Sequence, residues 1–321
     1  MAVHSTARGP AMGGCRLWEY ETPELAVRDA LRLSEGMSYK NAVAGLSCGG
    51  GKGVLARPAG ATPSARERNA ALRDFGDLVA SLNGDYLTAE DVGMTERDMA
   101  IIAERTPHVT GRSRRAGGSG DPSPATALGV FTAIARCCAR VFGTNDLRGR
   151  SITVIGLGHV GLPLAQLLAH AGATLTVTDI DPARRAAAER LGARWTTPGR
   201  ALTTKADVLA PCALGGSLTV AAASTIRARV IAGAANNQLD EPAAAAALQA
   251  AGILWAPDFV VNAGGVINIG AELDGPYDPD IARQRVLAIG DTLDAILDDA
   301  ERRNVTPYAA AMDRARALIA R

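Results

Sequence analysis

The chain has no excess of charge of one sign. Its 321 residues carry 34 lysines and arginines against 33 aspartates and glutamates, a net charge of +1. That excludes a broad electrostatic footprint for nucleic acid or for an anionic membrane surface. The one dense basic run, Arg112, Arg114 and Arg115, reads as a solvated loop. Long apolar runs are lacking too. No stretch approaches the roughly 20 consecutive apolar residues of a membrane span, and "MAVHSTARGP" has no apolar signal core. The five cysteines, Cys15, Cys48, Cys137, Cys138 and Cys212, are odd in number and lack the spacing of a disulfide framework or zinc site. They read as free thiols in a reducing cytoplasm. The four histidines, His4, His108, His159 and His170, show no metal-ligand spacing, so no metal is expected. No repeat of fixed period is visible.

What is present is the composition of a globular protein, 47% hydrophobic and 21% charged, long enough for two domains. In the first 120 or so residues, short strands (16–20, 53–57) mix with amphipathic helical patterns (23–37, about 64–82, 95–104). Ser123 and Pro124 suit the cap and first residue of a long helix. From Ser151 onward short apolar strands alternate with helical stretches, with strands expected at 208–210, 230–232 and 253–255. Such alternation argues for a parallel sheet with helices on its faces. Long helical patterns resume near Pro279. The expected organisation is α/β with two domains, 1–124 and 125–299, and a C-terminal helix at about 300–321 packing back on the first.

"SITVIGLGHVGLPLAQLLAHAGATLTVTDID" reads strand, glycine turn, helix, strand. Gly156, Gly158 and Gly161 spell GxGxxG, and Asp179 ends the second strand. Gly156 allows the tight turn, Gly158 lets backbone approach a pyrophosphate, and Gly161 permits close helix packing. The helix N-terminus offers free N–H groups to phosphate. Asp179 would accept from ribose hydroxyls and repel a 2′-phosphate, which favours NAD over NADP.

"GMSYKNAVAGLSCGGGKGVL" places Lys40 and Lys52 twelve residues apart, the second behind three glycines. Glycines allow close backbone approach. Two ammonium groups buried together would each depress the other's proton affinity, so one could serve as a base while the other holds an anion. "LTAEDVGMTERDM" supplies Glu90 and Asp91 as carboxylates able to move a proton. Spacing alone does not bring these groups together. The residues by themselves reach as far as an NAD-dependent oxidoreductase; a non-catalytic NAD-binding protein on the same fold is the other reading.

The stretches "GPAMGGCRLW", "GMSYK", "GGGKG", "TAEDVG", "GGSGDPSPATALGV", "GLGHVG", "APCALGG", "GAANNQL" and "APDFVVNAGGVIN" occur in that order along nearly the whole chain. In this the chain resembles the glutamate/leucine/phenylalanine/valine amino-acid dehydrogenases, closest to the leucine/valine branch. The resemblance implies an N-terminal α/β substrate-binding and oligomerisation domain and a Rossmann domain, with a cleft between. It implies that Lys40 binds the substrate carboxylate, that Lys52 polarises the carbonyl and activates water, and that Asp91 exchanges protons with the amino group. Thr126 and Asn262 match residues at the nicotinamide end, and Asn236 lies in the stretch approaching the cofactor ribose. His159, Val160, Cys212 and Ala213 fall within the cofactor-binding stretches, and Gly13 within the substrate-binding one. The implied reaction moves hydride from the amino acid's α-carbon to NAD. Water then adds to the iminium, and collapse gives a 2-oxo acid and ammonia.

Met12 stands where the glutamate enzymes of that family carry a lysine for the side-chain carboxylate, and Ile269 stands where they carry serine. An acidic side chain would lose its water there without a partner, which excludes glutamate. Met12, Ala89, Val266 and Ile269 form the implied pocket. Leucine, valine or isoleucine fits best, with an aromatic or unusual aliphatic amino acid as the alternative. Cys48 is expected to be packing. Family members carry a further stretch before the segment matching "AVHST", and that stretch often contributes to subunit contacts. A homo-oligomer is expected, a dimer or higher.

Overall fold

The strand expected from Gly53 begins earlier and takes in the glycines ahead of Lys52. In the computed structural model, which describes residues 1–57, 60–61 and 63–320, the first strands are β1 (Ala2–Ser5), β2 (Ala11–Glu19), β3 (Gly49–Arg57) and β4 (Tyr86–Glu90). They form one sheet in the order β1-β3-β2-β4, with β1 antiparallel to β3 and the other pairs parallel. Helix α1 (Pro23–Val43) lies on this sheet at backbone distance. A Cβ on Gly50 would overlap the backbone of Ser34 and Ser38 on α1; one on Gly49 would overlap the Ser5 carbonyl of β1. α1 answers with small buried residues at helical spacing, Ala26, Ala30, Ser34, Ser38 and Ala42. Asn41, also buried, ties the layers by donating to the Met12 and Gly49 carbonyls at 3.1 and 2.7 Å.

α2 (Ala65–Ala80) and α3 (Glu96–Ala103) both begin in capping boxes, Ser64 with Glu67 and Thr95 with Asp98. Leu72, Phe75, Val79, Met99 and Ile102 from these helices form one core with Ala11, Cys15 and Tyr86 of the sheet.

The second half opens with α4 (Ser123–Phe142). It continues through β5 (Ser151–Ile155), α5 (Gly161–His170), β6 (Thr174–Thr178), β7 (Arg194–Trp195), β8 (Val208–Pro211), β9 (Val230–Ile231) and β10 (Leu254–Trp255). These strands are all parallel, in the order β10-β9-β8-β5-β6-β7. The chain runs outward one way through β6 and β7, then the other way from β8 to β10. That is the doubly wound dinucleotide-binding order, with its switch point between β5 and β8.

Contrary to the expectation that no stretch approaches a membrane span, α4 is long and apolar enough to cross one by length and composition. Its Ala127, Val130, Ala133, Ile134 and Cys137 are fully buried. Its Arg136 pairs with Asp291 and Asp294 at 2.7 and 2.8 Å, and its Arg140 with Asp298 and Glu301, all on the helix Ile289–Arg303. Two ion-paired arginines and a buried apolar stripe make α4 a core helix.

The chain divides into two compact units. One holds Met1–Pro122, Val266–Ala282 and the residues from Arg314; the other holds Ser123–Gly265 and Arg283–Asp313. This differs from the sequence expectation in two places: Val266–Ala282 goes with the first unit, and the return to it begins at Arg314 rather than near residue 300. Hydrogen bonds explain both. Glu272 accepts from the Gly111 and Ser119 amides at 2.9 and 2.7 Å, and Arg8 donates to the Leu318 carbonyl at 3.1 Å.

Candidate active site

Lys52 sits on β3, only 4% exposed. Its Nζ lies 2.9 Å from Oδ2 of Asp91, the residue that follows β4. Sheet register makes the meeting possible: β2 lies between β3 and β4 and pairs with both. The intervening Gly14 has no side chain, and a Cβ there would collide with the Asp91 side chain. Burial pushes the Asp91 carboxyl up, but Lys52 and Arg16 together hold it below the usual carboxylate range. Lys52 thus meets a carboxylate. Lys40 lies in the last turn of α1, half-buried, two residues beyond the Ser38 that abuts Gly50.

The four pocket residues come together. Met12, Ala89 and Ile269 are buried in one cluster with Leu46 and Cys48, and Val266 packs against it. Gly13 follows Met12, and its carbonyl accepts from the buried Tyr86 hydroxyl at 2.6 Å. Burial pushes the Cys48 thiol up to about 11, so it is an uncharged wall and not a nucleophile.

The glycine turn in the second unit has the expected geometry. Gly156 takes φ +98°, open to glycine and costly for other residues. A Cβ on Gly161 would overlap the Gly156 carbonyl, so the turn and the start of α5 touch directly. Gly158 faces open space, with nothing within 4 Å of a Cβ position, which leaves its backbone accessible to a ligand. His159 is exposed and Val160 half-buried beside it. Asp179 Oδ2 accepts from the Leu157 amide at 2.6 Å and Oδ1 from the Asp181 amide at 2.9 Å. The carboxylate therefore also braces the turn. Cys212 and Ala213 follow β8 and line the turn, close to Gly161 and Gly156 respectively; burial raises the Cys212 thiol to about 12.

Asn262 and Asn236 are joined, Asn262 Nδ2 donating to Asn236 Oδ1 at 2.8 Å and to the Ala234 carbonyl at 3.1 Å. Gly264 seats this segment against Ala125 and Thr126 at the start of α4, where a side chain would overlap the Ala125 carbonyl. Asn262 Oδ1 is buried without a hydrogen-bond partner among the described residues. A buried acceptor left unpaired is costly, and a carboxamide N–H2 would satisfy it. The open Gly158, the φ of Gly156 and this orphan acceptor fit a nicotinamide dinucleotide.

Three features escaped the sequence reading. Arg16, half-buried, donates to Asp91. Ile180 and Leu214, 87% and 83% exposed, follow Asp179 and Ala213 just past the C-terminal ends of β6 and β8, the edge where such sheets bind ligands. Composition held a further signal: only three lysines, Lys40, Lys52 and Lys205, occur among 34 basic side chains. Two of the three lie within Gly36–Leu55.

Residues 1–108 match the model of the Glu/Leu/Phe/Val dehydrogenase dimerisation domain, and residues 177–278 that of the Glutamate/Leucine/Phenylalanine/Valine dehydrogenase. Leucine dehydrogenase of Geobacillus stearothermophilus is 44% identical over 97% of this chain and 84% of its own length. Valine dehydrogenase of Streptomyces virginiae is 43% identical over 97% and 87%. The crystal structure of L-tryptophan dehydrogenase from Nostoc punctiforme superimposes with a TM-score of 0.84 and 38% identity, covering 99% of this chain and 90% of that one. The chain belongs to the glutamate/leucine/phenylalanine/valine dehydrogenase family of amino-acid dehydrogenases.

Proposed function

We propose that the protein is an NAD-dependent L-amino-acid dehydrogenase that reversibly converts an apolar aliphatic amino acid of the leucine, valine or isoleucine type to its 2-oxo acid and ammonia. The observation that carries this reading is the Lys52–Asp91 ion pair, set on the sheet whose Met12 and Ala89 form the apolar cluster with Ile269. NAD supplies the hydride acceptor. Lys40 holds the substrate carboxylate, and Lys52 directs a water to the α-carbon and stabilises the oxygen that develops charge. Asp91 takes and returns the proton of the amino group, its ionised form favoured by Lys52 and Arg16. Thr126, Asn236 and Asn262 orient the nicotinamide end, while Gly156, Gly158, Gly161, His159, Val160, Cys212, Ala213 and Asp179 hold the rest of the dinucleotide. Asp179 favours NAD over NADP, since its carboxylate repels a 2′-phosphate.

Met12 and Ile269 offer a side-chain carboxylate nothing to pair with, so glutamate is a non-substrate. An aromatic amino acid is the second reading. It is favoured by the deformable Met12 wall and by the similarity to a tryptophan dehydrogenase. The match to a dimerisation domain supports a homo-oligomer of two or more copies.

Two substitutions test the assignment. Lys52→Ala and Asp91→Asn should each lower kcat roughly a hundredfold or more while NAD affinity, read by calorimetry, stays unchanged. Wild-type turnover in either variant would remove that residue from the chemistry.

A further inference from the structure

Asp91 does not answer to Lys52 alone. Arg16, on β2, donates from Nε to the same Oδ2 at 2.9 Å, and from Nη1 to Asp29 Oδ2 at 3.0 Å. Asp29, on α1, also accepts from the Tyr20 hydroxyl at 2.6 Å and from Arg32 at 2.9 Å. The side chains of Arg16, Asp29 and Asp91 are 20%, 15% and 22% exposed. A planar guanidinium locked between two carboxylates has a fixed orientation that a flexible ammonium would not have. The chain Tyr20/Arg32–Asp29–Arg16–Asp91–Lys52 therefore joins β2, α1, the end of β4 and β3.

We propose that Arg16 is a positioning residue for the deamination reaction: anchored by Asp29, it fixes the Asp91 carboxylate and keeps it ionised, so that Lys52 need not be the carboxylate's sole partner. This rests on the proposed role of Asp91. It accounts for an otherwise awkward feature. A carboxylate paired only with Lys52 would be free to follow that side chain or take up a proton whenever the lysine turned to substrate or water. With Arg16 in place, Asp91 keeps a cation at hydrogen-bond distance throughout. The groups around Asp91 leave the electrostatic sign clear. Lys52 approaches from β3, and Arg16 and Cys15 lie on β2; Tyr86 is on β4, with Asp29 and Arg32 behind on α1 and Asp98 on α3 beyond Cys15. The Cys15 thiol, raised to about 12 by burial, and Tyr86, raised by burial, stay neutral in the working range. Among the described residues, Lys52 and Arg16 are the cations that lower Asp91's proton affinity most. Loss of the Arg16 charge raises the proton affinity of Asp91. The acid limb of the pH profile that Asp91 sets must move upward with it.

The experiment compares Arg16→Met, Arg16→Lys, Asp29→Asn, the Arg16→Met/Asp29→Asn double variant and Asp91→Asn, all as full-length protein. The readouts are NAD affinity, kcat, KM and the pH dependence of kcat/KM. Arg16→Met should lower kcat at least tenfold with NAD affinity intact and move the acid limb upward by about one pH unit. Arg16→Lys should keep the limb in place while recovering only part of kcat, since it restores charge without the fork. Asp29→Asn should lower kcat severalfold, and that loss should vanish when Arg16 is already Met. An unshifted limb with wild-type kcat in Arg16→Met overturns the proposal. If Arg16→Met does not fold, an Asp29→Asn enzyme with unaltered kcat overturns it instead. Turnover surviving in Asp91→Asn would show that the assignment of Asp91 itself had failed; loss there, with no effect at Arg16 or Asp29, would sink the inference alone.

Discussion

Cys48 is 1% exposed and packs in the cluster that holds Met12, Ala89 and Ile269. It therefore bears on which side chain the pocket accepts. Cys48→Leu adds volume to a filled space, and a methylene is worth about 1–3 kcal/mol of discrimination. The expected outcome is a roughly tenfold fall in kcat/KM for leucine relative to valine. A constant ratio would place Cys48 outside the pocket wall. Asp179 makes a second residue-level case. It braces the Leu157 amide, and on the proposed function it also accepts from the ribose, so Asp179→Ala should weaken NAD binding and narrow the preference over NADP. Unaltered NAD/NADP selectivity would remove it from cofactor choice. The GxGxxG glycines were legible in the sequence because their spacing carries their chemistry; Lys52 and Asp91 stood out only as candidates, with roles implied by the family resemblance and not by spacing. Arg16 did not stand out. Its partners are 13 and 75 positions away, and only the pairing of β2 with β4 makes Asp91 a neighbour.

At the scale of elements, the contact between β3 and α1 is the determining one. Gly50 against Ser34 and Ser38 sets how closely the helix carrying Lys40 approaches the strand carrying Lys52. Gly50→Ala would force the two apart. Overpacking of this kind costs about 1–3 kcal/mol, read as a lower urea midpoint with an unchanged slope. A larger loss in kcat than Gly36→Ala, at an exposed α1 site with nothing within 4 Å, is also expected. Equal effects of the two substitutions would contradict a close-approach role. The sequence showed α1, α2 and α3 through their apolar spacing and caps. It did not show that the triple glycine is strand, because glycine has low β-propensity and only tertiary contact with α1 and β1 makes its lack of a side chain an advantage. Strands β7, β9 and β10 are two residues each, too short for a periodic signal to set their ends.

For the molecule as a whole, net charge near zero leaves acid stability to individual carboxylates. Asp29, Asp91 and Asp98 are all held below their ordinary values; burial opposes this, but hydrogen bonds and arginine or lysine partners outweigh it. A depressed folded-state value adds stability that is complete above the unfolded value, near pH 4, and is lost as pH falls toward the folded ones. Stability should therefore be flat from neutrality down to about pH 5 and fall steeply below about pH 4. Asp98→Asn, which weakens both the Arg68 pair and the Thr95 cap, should soften that fall. An identical acid profile in Asp98→Asn would remove this carboxylate from the acid transition. The two-unit architecture was legible from the change of pattern at Ser151, but the passage of Val266–Ala282 into the first unit was not. That assignment depends on Glu272 reaching amides more than 150 positions earlier, which no local pattern encodes. The most direct measurement of the account's central claim is NADH formation by the purified protein with NAD and a panel of leucine, valine, isoleucine, phenylalanine, tryptophan and glutamate. The account predicts the highest kcat/KM with an aliphatic member and none with glutamate. Turnover of glutamate, or none of the panel despite measurable NAD binding, would contradict it.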